Sequence, residues 1–214
     1  MKRFGRWNGL ALAFGLVAAV ATSPRPALAL TLDPLASGGS FTTGVLTFSN
    51  FEVSLGGDLP LDLTDYPVQI LSDGFRLSGP LSALFGETGT LVLSYDVNVS
   101  DPGGILGVSV FAAGNVSGAG AQAYVAESLF GPANDPLGSL FVYAVSGVGT
   151  QVSDSLALAG PTELHVVKTV SLKSGTFAVV PFVDQHFVAV PEPLSLLLMG
   201  GGLLGLARVG RRRA

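Results

Sequence analysis

The chain has 214 residues, of which 48% are hydrophobic and only 12% charged, with 29 glycines, no cysteine and a formal charge of −4. This balance excludes a disordered polyelectrolyte, which needs low hydrophobicity and high net charge, and the lack of cysteine excludes disulfides, thiolate zinc centres and cysteine nucleophiles. Basic residues sit at the ends (Lys2, Arg3, Arg6, Arg25 and Arg208, Arg211, Arg212, Arg213), so the interior holds Arg76, Lys168 and Lys173 against fourteen acids, a net of −11 that argues against nucleic acid as a partner.

Residues 1–29 follow the order of a secretory signal: a basic start, an apolar run over 10–21, and Ala27-Leu28-Ala29. Small side chains at Ala27 and Ala29 suit a signal peptidase, and cleavage is expected before Leu30. The apolar run is too short for a span, which takes about 20 residues.

The body, taken as 30–187, consists of short alternating segments broken by Gly, Pro, Asp and Asn. In the stretch 90–100, Leu91, Leu93, Tyr95, Val97 and Val99 share one parity while Ser94, Asp96, Asn98 and Ser100 share the other, which predicts a strand with one dry face. Phe51, Val53 and Leu55 alternate with polar residues in the same way. Further strands are expected at 68–71, 75–78, 105–111, 121–130, 140–145, 150–157, 163–172 and 176–183, with a short helix near 80–85. Separators such as Ser72-Asp73-Gly74 are turn formers. About ten strands with one-sided apolar faces predict an all-β, antiparallel β-sandwich.

Candidate chemistry in the body is sparse. His165 and His186 lack a metal spacing such as His-Glu-x-x-His, and His165 shares parity with Glu163, Thr169 and Ser171, the wetter face. Asp58, Asp62 and Asp65 cluster in one loop as hard-oxygen candidates for calcium, though not at EF-hand spacing. Glu127, Asp135 and Asp154 are carboxylates of the kind a glycosidase pairs. No Walker loop, dinucleotide fingerprint or Gly-x-Ser-x-Gly elbow is present in the body, and no cofactor is expected. Tyr66, Tyr124 and Tyr143 are the aromatic candidates for a sugar surface.

The end, 188–214, carries Val190-Pro191-Glu192-Pro193, then an uncharged run over 194–207 that extends to about 209 as a transmembrane helix, then Arg208, Arg211, Arg212 and Arg213. The prolines break regular structure and separate this tail from the body. The arginines stop transfer on the cytoplasmic side, which leaves the body outside.

In its order of motif, apolar helix and basic cluster, the tail resembles the PEP-CTERM sorting domain of exported Gram-negative envelope proteins. The resemblance implies Pro191, Glu192 and Pro193 as a recognition motif for an exosortase-type enzyme, an inner-membrane intermediate, and a final place in the cell envelope or outside the cell. More loosely, residues 46–51, 93–97 and 125–128 look like the β-sandwich domains often joined to such tails. The expected function is that of a non-enzymatic structural or adhesive surface protein with signal peptidase, exosortase, the inner membrane and extracellular polysaccharide as partners. The alternatives are a carbohydrate-binding module within exopolysaccharide and a hydrolase working through the carboxylates.

Overall fold

The computed structural model describes residues 30–100 and 103–189. The expectations for 1–29, for Pro191, Glu192, Pro193, for the helix at 194–209 and for the terminal arginines lie outside the described residues. Among the described residues no helix is long and apolar enough to cross a membrane.

Among the described residues, sixteen strands form from the alternating segments. In chain order they are β1 (Leu30–Thr31), β2 (Phe41–Thr43), β3 (Leu46–Gly57), β4 (Pro67–Leu71), β5 (Gly74–Ser78), β6 (Ser82–Leu84), β7 (Thr88–Val99) and β8 (Ile105–Ala112). They continue as β9 (Asn115–Ser117), β10 (Gln122–Phe130), β11 (Pro136–Val145), β12 (Gly149–Gln151), β13 (Ser153–Ala157), β14 (Glu163–Lys173), β15 (Phe177–Val179) and β16 (Phe182–Ala189). One sheet runs β1-β4-β5-β16-β8-β13, a second runs β12-β11-β10-β14-β7-β3-β2, and a small third runs β6-β15-β9. Every pairing is antiparallel, so the all-β, antiparallel class read from the alternation holds.

The strand count exceeds the expected ten for local reasons. The run 150–157 is two strands, because the chain leaves the second sheet after Gln151 and enters the first at Ser153. Pro181, which has no N–H to give a ladder, falls between β15 and β16 and divides the expected strand at 176–183. The helix expected near 80–85 is instead β6, whose Ala83 is buried beside β15. Short helical turns occur elsewhere. Helix α1 (Leu32–Ala36) buries Leu32 and Leu35, three apart on one face, and a 3₁₀ turn covers Leu63–Asp65.

The two large sheets share one core. Phe48 of β3 meets Phe75 of β5 edge-on at 5.6 Å between ring centroids and Phe187 of β16 at 5.5 Å, while Tyr95 of β7 meets Phe75 at 5.3 Å. Phe41 and Phe51 stack against this group, Phe41 on Phe48 at 4.8 Å and Phe51 on Tyr95 at 5.5 Å. Strand β3 keeps its apolar side inward only through an irregularity between Ser49 and Glu52, where Asn50 takes a φ of 54°. Asparagine tolerates this left-handed backbone better than most residues. The extra residue resets the parity, so Leu46 and Phe48 before it and Phe51 after it all face the core.

Truncating Phe48 to alanine removes the ring common to four of these contacts. Phe48→Ala is expected to cost about 3–5 kcal/mol, read as a lower urea midpoint with unchanged slope.

Tyr95 gives a pH prediction. Its hydroxyl is fully buried without a hydrogen-bond partner, and burial first, then the Glu127 charge, push its pKa well above the ordinary 10.0. The folded state therefore keeps a proton that the unfolded chain releases. This contribution to stability is complete below pH 10.0 and is lost as pH rises from there through the higher folded value. Denaturant midpoints across alkaline pH are expected to fall less steeply in Tyr95→Phe than in the parent, while at neutral pH the variant is at least as stable because no hydrogen bond is lost.

Candidate functional site

The outer face of the second sheet carries the best-formed candidate site. β10 and β11 pair so that Tyr124 lies opposite Tyr143 and Ala126 opposite Phe141. The period of two along a strand puts Phe141 and Tyr143 on one face of β11, and the core-facing Leu140, Val142 and Ala144 hold that face outward. Tyr124 stacks on Phe141 at 5.5 Å with 26° between planes, and Tyr143 lies 5.8 Å from Phe141 at 32°. Three rings thus make one platform, with Phe141 still 43% exposed.

Its rim is polar. Tyr124 donates its hydroxyl proton to Gln122 Oε1. Gln151 lies opposite Tyr143 on β12 and donates from Nε2 to Phe141 O at 2.9 Å, and Ser171 lies opposite Tyr124 on β14. β12 ends before reaching Phe141, and Asp154 of β13 supplies the missing acceptor: its Oδ2 takes the Phe141 N–H at 2.9 Å. A cavity of about 450 Å³, lined by glycines, Asn115, Val145, Ser146 and Thr150 among others, borders this end of the sheet.

Six residues further along β10, a distance of about 20 Å at strand rise, the same face ends in a cleft of about 310 Å³ lined by Asp96, Gly131, Pro132, Asn134, Glu163 and His165. Asp96 lies opposite His165 and takes its Nδ1 at 2.7 Å, while Asn50 Nδ2 donates to the other oxygen at 2.7 Å. Ala126, Ser128, Val167 and Thr169, none longer than a valine or threonine, fill the strip between platform and cleft.

The outer face of the first sheet is arranged differently. Arg76 grips Asp184 through two hydrogen bonds of 2.6 and 2.8 Å, and its guanidinium lies 4.1 Å over the Phe182 ring. The bond to Asp184 raises the Arg76 pKa further. The ring face that a ligand would use is occupied by the protein's own cation.

The structure distributes the sequence candidates unevenly. Tyr124 and Tyr143 come together, and Phe141 joins them, a residue that parity with Tyr143 could have revealed. Tyr66 does not belong to this surface: it is fully buried and donates its hydroxyl to Pro60 O at 2.8 Å. Asp58, Asp62 and Asp65 are not brought together as calcium ligands. Asp58 accepts the Thr88 N–H, Asp62 caps the 3₁₀ turn by accepting from the Thr64 hydroxyl and N–H, which hold its carboxyl below the usual range, and Asp65 is exposed. Among the described residues no group of three or more His, Cys, Asp or Glu is placed to hold a metal ion. Glu127, Asp135 and Asp154 also lie apart: Glu127 is in the core, Asp135 in an exposed loop and Asp154 serves β11. His186, on the first sheet, has its Nδ1 3.0 Å from Asp73 in the β4–β5 turn of the same sheet. Leu30 begins β1 and pairs with Val68.

No family model and no curated protein matches the chain. Among solved structures, it is similar to a carbohydrate-binding module in complex with β-1,4-galactotriose, at 13% identity and a TM-score of 0.39, covering 64% of this chain and 88% of that one. It is also similar to carbohydrate-binding modules of the β-sandwich superfamily (12% identity, TM-score 0.27, 69% and 58% covered) and to a family 12 glycoside hydrolase (12%, 0.24, 75% and 99%). At these identities and scores the likenesses carry no functional weight.

Proposed function

We propose that the body is a carbohydrate-binding β-sandwich, with the outer face of the second sheet as its binding surface, in a protein that is exported and sorted through its PEP-CTERM-like tail. The observation that supports the binding reading is the platform of Tyr124, Phe141 and Tyr143. Sugar rings offer an apolar face of C–H groups and a rim of hydroxyls, and an aromatic platform edged by Gln122, Gln151 and Ser171 matches both. The strip of small side chains leaves room for an extended chain to lie along the sheet. Destination and task then fit together, since an envelope protein works among polysaccharides.

A hydrolase reading has one observation in its favour, the presence of Asp96 and Glu163 in one cleft. Against it, both Asp96 oxygens already hold neighbours, His165 and Asn50.

The test of binding is a glycan array followed by titration calorimetry on the purified protein. Tyr143→Ala and Phe141→Ala are each expected to weaken the best ligand roughly tenfold, about 1.4 kcal/mol, with the circular dichroism spectrum kept, while Phe182→Ala on the opposite face leaves affinity unchanged. Binding that survives loss of all three platform rings overturns the assignment.

Sorting is tested separately by mass spectrometry of the mature protein from an envelope host. The expected form begins at Leu30 and ends near Pro191-Glu192-Pro193, and replacing those three by alanine abolishes the C-terminal processing. A C-terminus at Ala214 in both forms identifies the tail as a plain anchor.

A further inference from the structure

Glu127 of β10, Lys168 of β14 and Gln185 of β16 meet inside the shared core. Lys168 has the parity of Leu164, Val166, Val170 and Leu172, so its side chain enters the apolar layer, where it is 1% exposed and Glu127 0%. The two face each other directly in the β10–β14 ladder, with Lys168 Nζ 2.5 Å from Glu127 Oε2. Gln185 reaches in from the opposite sheet and is fully buried. Its Oε1 accepts from Lys168 Nζ, and its Nε2 donates to Glu127 Oε1 at 3.1 Å. The three side chains close a ring in which one carboxyl oxygen faces the lysine nitrogen and the other faces the amide nitrogen.

An ion pair in such a place is expensive as a purely structural device. Removing both charges from water costs several kcal/mol per ion, and apolar replacements of similar volume usually serve as well or better. The arrangement has a chemical reading instead. An amine nitrogen sits against an amide carbonyl, a carboxyl group touches both the attacking and the leaving nitrogen, and water is excluded. Reactants held this way react at effective concentrations of about 10⁵–10⁸ M, and a carboxyl within hydrogen-bond reach of both nitrogens is the proton carrier such an exchange needs.

We propose that Lys168 and Gln185 form an intramolecular isopeptide bond that ties the two sheets together, with Glu127 as proton carrier. Lys168 Nζ gives a proton to Glu127 Oε2, and its freed electron pair attacks Gln185 Cδ. Of the three protons that Nζ began with, one stays on the new amide, one reaches Nε2 by way of the Glu127 carboxyl, and one remains on that carboxyl. The Cδ–Nε2 bond breaks and neutral ammonia leaves, with the last proton kept on the Glu127 carboxyl. The new bond is Nζ–Cδ, no atom changes oxidation state, and no co-reactant is consumed. The buried charge pair is replaced by a neutral amide beside a protonated carboxyl, and the desolvation cost of both ions goes with it.

The experiment is peptide mapping by mass spectrometry of the full chain, digested with trypsin after denaturation. The expected result is that cleavage fails after Lys168, and that peptide 77–173 is found joined to the peptide beginning at Ser174 with a combined mass lower by one ammonia. Fragmentation should place the join between Lys168 and Gln185. Glu127→Gln, which preserves shape, is expected to restore cleavage after Lys168 and to release the peptide beginning at Ser174 unlinked and at full mass, and Lys168→Met to give 77–173 and that peptide unlinked. Free Lys168 and Gln185 in parent protein that unfolds cooperatively overturns the proposal. A mass lower by one water, with Lys168 joined to Glu127, overturns it as well, because it makes the carboxyl the acceptor in place of the carrier. The parent protein alone decides between these outcomes, whether or not a variant folds.

Discussion

Everything in this structure depends on two antiparallel sheets turning their apolar faces toward each other. Phe48 sits where they meet, touching rings from both, and with Phe41, Phe51, Phe75, Tyr95 and Phe187 it forms an aromatic layer that spaces the sheets. Burial of a large ring contributes on the order of 1.5–3 kcal/mol, so a few such residues are comparable to the total stability of a typical domain. The low charge of the chain is compatible with this core, since few positions need a desolvated ion.

Because side chains alternate strictly along a strand, fixing one face inward fixes the other outward. The platform of Tyr124, Phe141 and Tyr143 is thus a consequence of Val125, Leu140, Val142 and Ala144 being buried: the core sets the register, and the register sets the aromatic spacing. Asp154 links the two levels, because its carboxylate completes the backbone hydrogen bonding of β11 at Phe141, where the edge strand has run out. The opposite face uses its rings differently, with Phe182 spent on Arg76.

Much of the fold was legible in the sequence wherever a segment is long and regular. β7 appears in the residues 90–100 almost unaided, since five apolar positions share one parity. Legibility fails where chain geometry departs from alternation. The run 150–157 continues to alternate while changing sheets, so nothing in its pattern marks the crossing at Val152. The irregularity at Asn50 depends on one residue's tolerance for a positive φ. For the binding face, parity identifies outward rings but not neighbours, because the β10–β11 register is a tertiary fact. Tyr66 was misplaced for a related reason: a phenol reads as amphipathic, and only the folded loop shows that Pro60 satisfies its hydroxyl. The core triad carried a signal that went unread, a lysine on the apolar parity of β14, although its partners 41 and 17 residues away could not be named without the structure.

The outermost strands of the two large sheets are all short. They are β1, β13, β12 and β2, of two, five, three and three residues, and the two on one side are consecutive in the chain, so the main chain itself folds over that margin. Free N–H and C=O groups along a sheet margin are the template on which another chain adds a strand. These outermost strands cover only part of their neighbours, β2 pairing with Leu46–Phe48 of the longer β3 and β12 with Tyr143–Val145 of the longer β11, so the margin of the second sheet passes from short strands to stretches of long ones.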